Sequence, residues 1–271
     1  MPELPEVEFA RRALKRWFRG RRLVRAEAEP GVRTFREAEP AVFEALSGRL
    51  TRADRRGKYL LLGFSNGLGC LAHLGMTGKF LRRRAGEPVR WSRARFLLDS
   101  GYVIHFQDPR LFGRIEPAPV ELLPGLPAWK KLGVDPLEDG LTAAHLKSAL
   151  GSTRQPLKVA LMDQHRLAGL GNIHAAEALF RARLHPKRTP ASLTPAEWRA
   201  LARAIHATIA FALRVEGDAD DIEYVEEPGA PNPFLVYGQA RCRRCRGPVK
   251  TFTQAGRTTH FCPTCQPARS R

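Results

Sequence analysis

The sequence predicts an α+β chain in which strands come first and helices second. Three observations carry that prediction. Short Leu-, Val- and Phe-rich segments separated by turn residues fill residues 50–117; apolar positions then recur at helical spacing across residues 142–215; and two C-x-x-C pairs close the chain. Strands followed by helices, rather than alternating with them, point to separate domains of different class. The 271 residues are enough for two domains and a small appended module.

The elements follow in order. Val7, Ala10, Ala13, Leu14, Trp17 and Phe18 mark a first helix reaching to about Arg19. Pro5, Glu6 and Glu8 suit its first turn, where unpaired N–H groups and the positive end of the helix dipole favour acids. Pro2 and Glu3 lie ahead of the apolar run; an acidic N-cap is the bland reading of MPELPEVE. LTRADRRGKYLLLGF, LGCLAHLGMTGKFL, ARFLLDSGYVIHFQ and LFGRIEP read as strands of an antiparallel sandwich or barrel. Turns fall at Ser65-Asn66-Gly67, residues 84–87 and Ser100-Gly101. Residues 116–140 are dense in Pro and Gly and read as a linker. Helices are expected at 142–150, 157–164, 173–182 and 195–215, the last opened by Thr194 as cap with Pro195 at the first helical position. The expected domains are residues 1–130, 131–235 and 236–271.

Lys and Arg number 45 against 27 acids, a formal charge of +18 that suits a polyanion, nucleic acid first. There is no apolar run near eighteen residues and no basic-then-apolar leader, so the expectation is a cytosolic chain without membrane partners. Cys70 stands alone in an apolar run and reads as a small buried hydrophobe.

Cys242, Cys245, Cys262 and Cys265 form two C-x-x-C knuckles at turns around Arg246-Gly247 and Pro263-Thr264. Four thiolates so spaced close tetrahedrally on zinc and leave no position for water, so one structural zinc ion is expected. His260 is the weaker substitute ligand. Between the knuckles, Thr251 to Thr259 reads as a hairpin whose tip carries Arg257, where a guanidinium can grip phosphate bidentately or simply be solvated. The turn Gly169-Leu170-Gly171-Asn172 precedes a helix. It suits close approach to an anion at the helix start, although Asn172 as an ordinary N-cap is the commoner meaning.

MPELPEVE, RRGKYL with Lys58, HLGMTGKF, DPRLFGR, GLGNI and the closing four-cysteine pattern, in that order over nearly the whole chain, resemble the formamidopyrimidine-DNA glycosylases, relatives of endonuclease VIII. Leu4 stands where endonuclease VIII members carry Gly. The resemblance implies a β-sandwich with flanking helices, then a helical domain with a helix–two-turn–helix motif and a zinc-finger hairpin. It implies a base-excision-repair glycosylase with AP lyase activity. Such an enzyme removes ring-opened or oxidised purines, 8-oxoguanine among them, through a proline Schiff base and β,δ-elimination.

Under that resemblance Pro2, exposed as the N-terminus once Met1 is removed, is a secondary amine able to attack C1′ of a damaged nucleotide. Glu3 is its acid–base partner, Lys58 contacts phosphate near the lesion, and Arg257 completes the catalytic set, with Glu6 supporting. Met76, Arg110 and Phe112 match the residues that enter the duplex as wedge, donor to the widowed base and unstacking aromatic; burial is the alternative for Met76 and Phe112. His73 and Asn172 join them as DNA contacts, with a structural role the alternative for His73. His174 replaces a family Tyr. The implied partner is damaged double-stranded DNA, bound by a monomer in the bacterial cytoplasm at the nucleoid. Residues 216–227 depart from the pattern, holding seven acids and no Lys or Arg where the family carries a Gly/Thr/Ser-rich loop with an Arg. That departure implies a shift away from 8-oxoguanine, toward ring-opened purines or the oxidised pyrimidines of endonuclease VIII. The alternative class is a protein that binds damaged DNA without cutting it, for which Pro2, Glu3 and Lys58 would be superfluous.

Overall fold

A computed structural model describes residues 2–35, 40–215 and 232–268. Residues 216–227 and Met1 therefore lie outside the described part. The chain divides into two compact units, one running to Lys131 and the other beginning at Leu132.

The first unit opens with helix α1, Leu4–Phe18. It is followed by β1 (Arg22–Ala28), a short α2 (Pro40–Glu44), β2 (Gly48–Arg56), β3 (Tyr59–Phe64), β4 (Leu68–His73), β5 (Lys79–Arg84), β6 (Ser92–Leu98), β7 (Tyr102–Gln107), β8 (Arg114–Pro119) and α3 (Pro127–Lys130). All strand pairs are antiparallel. One ladder runs β5-β7-β6-β1 and the other β2-β3-β4-β8, and two pairs, Arg22↔Arg49 and Leu23↔Gly48, join them. Phe64 of one ladder stacks on Phe96 of the other at 6.3 Å, so the two halves face each other as a sandwich. Val7, Ala10, Leu14, Trp17 and Phe18 of α1 enter the same core. Burying each large side chain there stabilises the fold by roughly 1.5–3 kcal/mol.

Two elements depart from the sequence reading. Strand β1 escapes it because only Leu23 and Ala26 are buried and a bulge between Leu23 and Arg25 breaks the alternation that marks a strand. The stretch read as a linker is folded: Leu123, Leu126, Ala128 and Trp129 cover Leu61 and Leu71 on the outer face of β3 and β4. LTRADRRGKYLLLGF is two strands, turned at Gly57 with φ of +55°.

The second unit is helical: α4 (Ala143–Leu150), α5 (Leu157–Leu161), α6 (Asn172–Arg181) and α7 (Pro195–Val215), followed by the hairpin β9 (Lys250–Gln254) and β10 (Arg257–Phe261). Helices α5 and α6 are joined by a stretch of turns over residues 162–171. Thr194 caps α7 as expected, its hydroxyl accepting from the Glu197 N–H while the Glu197 carboxylate accepts from the Thr194 N–H at 2.8 Å. Among the described residues no helix is long and apolar enough to cross a membrane.

Candidate active site and nucleic-acid interface

In the first unit, the chain start is built around carboxylates. Glu3 is the N-cap of α1, and the Glu6 carboxylate accepts the Glu3 backbone N–H at 2.8 Å in a reciprocal capping box. Glu3 is 1% exposed, and Pro2 and Glu6 are also buried. A buried acid at a helix start serves the fold as a cap, and here it lies directly after Pro2. Farther along α1, burial pushes the Glu8 carboxyl up, but hydrogen bonds from Arg11 and Arg12 and the charges of Arg11 and Arg55 outweigh it and hold Glu8 below the usual carboxylate range. Arg55 in turn donates to the Gly57 carbonyl at 3.2 Å, in the turn that carries Lys58. Lys58 is 7% exposed.

His73 sits opposite Tyr59 in the β3–β4 ladder, the two rings 4.7 Å apart. Its Nδ1 accepts the Gly75 N–H at 3.0 Å, which leaves Nε2 as the protonated nitrogen of a neutral ring. Burial, then the positive charges of Lys58 and Arg114, push its pKa down to about 4. His105 is likewise held at about 4 by burial, Arg95 and Arg83. In an unfolded chain both would take up protons near pH 6.5, whereas the folded chain resists until about pH 4. Stability is therefore expected to fall as pH drops through that window, and His105→Leu to make the decline shallower in thermal melts against pH.

Met76 and Phe112 are 39% and 46% exposed, which excludes ordinary core burial for both. Gly75, with φ of +67°, lets their loops meet: a Cβ there would stand 2.4 Å from the Phe112 carbonyl carbon. The Arg110 guanidinium lies over the Phe112 ring at 5.0 Å. Asp108, fully buried, ties the two loops together. Its carboxylate accepts from the Thr77 hydroxyl at 2.7 Å, the Gly113 N–H at 2.7 Å and the Arg110 N–H at 3.3 Å. Asp108 opens DPRLFGR, yet sequence reasoning assigns it no role; an Asp ahead of Pro, a frequent turn opener, is the available signal.

In the second unit Gly171, not Asn172, is the N-cap of α6, so the common reading of Asn172 is set aside. Its side chain instead bonds the Lys158 ammonium and donates to the Thr258 carbonyl at 3.1 Å and the Tyr237 hydroxyl at 3.4 Å. Lys158, 1% exposed, also donates to the Thr259 hydroxyl at 2.9 Å, linking α5 and α6 to the finger. Lysine is so rarely buried that nothing in LKVAL announces it. The Glu177 carboxylate accepts three consecutive backbone N–H groups, of Leu235, Val236 and Tyr237, at 2.8–3.0 Å. His174 is buried and edge-on to Phe234. Arg257 is exposed at the hairpin tip beside the Ala255–Gly256 turn, where both residues have positive φ.

The four thiols lie within 4.8 Å of one another, Cys242 and Cys265 sulfurs 3.8 Å apart and Cys245 and Cys262 sulfurs 3.5 Å apart. A tetrahedral zinc with bonds near 2.3 Å needs sulfurs about 3.8 Å apart, so the set fits one structural zinc with no position left for water. His260 is not in the cluster. Cys70 is fully buried, its thiol pushed up to about 12 by burial, as an inert core residue should be.

Three family models match the chain: the formamidopyrimidine-DNA glycosylase N-terminal domain over residues 1–115, its H2TH domain over 132–223, and the zinc finger found in FPG and IleRS over 241–268. The formamidopyrimidine-DNA glycosylase of Thermus thermophilus is 39% identical over 98% of both chains, and that of Pelotomaculum thermopropionicum 37% identical over 98% of this chain and 99% of its own. A crystal structure of the Thermus thermophilus protein superposes with a TM-score of 0.82 at 38% identity, covering 99% of this chain and all of that one. The Lactococcus lactis Fpg bound to DNA containing an oxidised pyrimidine superposes with a TM-score of 0.86 at 27% identity, over 98% and 100% of the two chains. Fold, site and comparisons define a base-excision-repair DNA glycosylase. The chain belongs to the formamidopyrimidine-DNA glycosylase family of bifunctional glycosylase/AP lyases.

Proposed function

We propose that the chain excises ring-opened and oxidised purines from duplex DNA through its N-terminal proline and then cleaves the strand. The observation that carries this reading is the buried Glu3 at the head of α1, directly after Pro2 and fixed through Glu6. With Met1 removed, the lone pair of the Pro2 nitrogen forms a bond to C1′ while the glycosidic electron pair leaves with the base, which takes up a proton. The Pro2 N–H proton passes to the Glu3 carboxylate, which delivers it to O4′ as the C1′–O4′ bond breaks and the sugar ring opens, giving an iminium. Loss of a C2′ proton expels the 3′ phosphate, and a second elimination expels the 5′ phosphate. Buried Lys58, neutral His73 with its Nε2 donor, the backbone N–H of Asn172 at the start of α6 and Arg257 take phosphates, while exposed Met76, Arg110 and Phe112 fill the gap left by the flipped nucleotide.

Structures of the Lactococcus lactis relative hold an abasic site and a Fapy-dG lesion, which supports the same substrate class here. The acidic run at 216–227 would be repelled by phosphate, so ring-opened purines are expected to be excised faster than 8-oxoguanine. Equal rates on a lesion panel would sink that preference. The protein acts as a monomer on nucleoid DNA.

Borohydride tests the mechanism. Incubation with duplexes carrying ring-opened guanine, 8-oxoguanine or an abasic site should trap a covalent adduct that peptide mass spectrometry places on Pro2. A chain lacking Met1 that yields no adduct on any of them binds damaged DNA without cutting it.

A further inference from the structure

The outer face of β3, β4 and β8 carries a cavity of about 190 Å³ beside His73. Directly paired positions set Tyr59, His73 and Arg114 in one row across the three strands, and the pair Leu71 and Glu116 lies two residues along on the same face. Thr34, in the short turn Arg33–Phe35 ahead of α2, and Ala128 of α3 close the wall.

Size, lining and charge together define what fits. A cavity of roughly 150 Å³ already admits benzene, so this one holds a single six-membered ring with a small substituent. Leu71, Ala128 and the Tyr59 ring offer that ring apolar contact. Thr34 is 0% exposed, and its hydroxyl is buried with no hydrogen-bond partner among the described residues. A hydroxyl buried unpaired is costly, and a polar group on a ligand offsets that cost.

The local potential is positive. Burial pushes the Tyr59 phenol up, and of the two charges beside it that of Arg114 outweighs that of Glu116. Burial lowers His73 first, and Lys58 and Arg114 then add to the same effect. A neutral imidazole, two cations and one carboxylate leave the cavity with a surplus that suits an anion.

We propose that this cavity is a binding site for a small monocyclic aromatic carboxylate, and that its occupancy opposes DNA binding. The ring lies against Tyr59 and Leu71, and the carboxylate accepts from the Thr34 hydroxyl and faces Arg114. Opposition to DNA rests on the proposed phosphate roles of Lys58 and His73, since an anion beside them offsets the charge that a phosphate would meet; the binding site itself does not depend on that reading.

The test uses the full chain and benzoate as the probe. Calorimetry should give one site with a Kd at or below about 1 mM, within reach of so small a ligand, whereas benzylamine, the same ring with the opposite charge, should not bind. Thr34→Val should melt no lower than wild type, since it removes an unpaired hydroxyl, yet bind benzoate roughly tenfold more weakly, the loss of one hydrogen bond to a charged group. Arg114→Gln should weaken it by roughly 2- to 5-fold, as for an exposed ion pair. Ala128→Leu fills the cavity and should abolish binding. At matched ionic strength, saturating benzoate should lower affinity for a duplex carrying a tetrahydrofuran abasic analogue roughly fivefold, an ordinary coupling between two sites, and have no effect in Ala128→Leu. No saturable binding below about 10 mM, equal binding of benzylamine, or benzoate affinity unchanged in both Thr34→Val and Ala128→Leu overturns the site. Benzoate that binds without changing duplex affinity overturns the opposition to DNA. A wild-type chain that does not prefer the abasic duplex over undamaged DNA overturns that opposition together with the functional reading, and the calorimetry still decides the site.

Discussion

Glu3→Gln is expected to slow excision in a single turnover by roughly 10²–10⁴-fold, the contribution of a positioned general acid–base group, while leaving affinity for an abasic-analogue duplex nearly intact. The amide is the informative change because Glu3 has one observed duty, as a cap, and one proposed, as an acid–base group. As N-cap of α1 it accepts a backbone N–H, and the Gln carbonyl can still do so. What it cannot do is give or take a proton. Glu3→Ala removes both functions and should cost about 1 kcal/mol of stability besides the rate. Comparing the two separates chemistry from capping: a Gln variant within tenfold of wild-type rate would mean that Glu3 is a cap and nothing more, and that another group handles the protons.

Removing zinc is expected to produce the other large effect. One zinc per chain should be released to a metal-sensitive dye when the thiols are modified. The core that seats the hairpin, with Phe180 and Val236, is completed by Cys242 and Cys262 themselves. Structural zinc contributes about 10–16 kcal/mol in isolated finger peptides, far more than such a cluster can replace. The loss propagates inward. Thr259 and the Thr258 carbonyl are partners of Lys158 and Asn172, so collapse of β10 unpins a buried ammonium and the residue proposed to grip phosphate. Duplex affinity should fall roughly 10²-fold, as expected from losing two charge-assisted contacts of about 1.5 kcal/mol each. Unchanged affinity after complete zinc release would show that the finger takes no part in binding.

Much of the architecture is legible because the residues that announce it act locally. The cysteine knuckles, the Thr194 cap and the glycines of the hairpin turns each carry their reason within a few positions of sequence. Strand β1 is not legible, since a bulge shifts its register and its pairing with β6 is distant in the chain. Lys158 and Glu177 are invisible for a related reason: Lys158 reaches Thr259, 101 residues away, and the partners of Glu177 are about 60 residues away, and neither side chain differs in type from those that lie in solvent. Met76 and Phe112 can be named from sequence but not placed. Exposure is a property of the surroundings, and only the packed loops show that both side chains remain uncovered. Asn172 reads two ways from the same turn; the structure gives the cap position to Gly171, and the Asn172 partners on the finger lie too far along the chain for the turn to announce them.

Asp108 holds its two loops through backbone N–H groups and the Thr77 hydroxyl, and none of its bonds uses the side chain of Met76, Arg110 or Phe112. The frame and the tools mounted on it are thus separately encoded. Exchanging a tool, Phe112 or Met76 for Leu, alters the side chain that the proposed function sends into the duplex without moving the backbone that carries it. Such a division lets these three side chains change by single substitutions while the chain keeps folding, so variants at them isolate the proposed duplex contacts from stability.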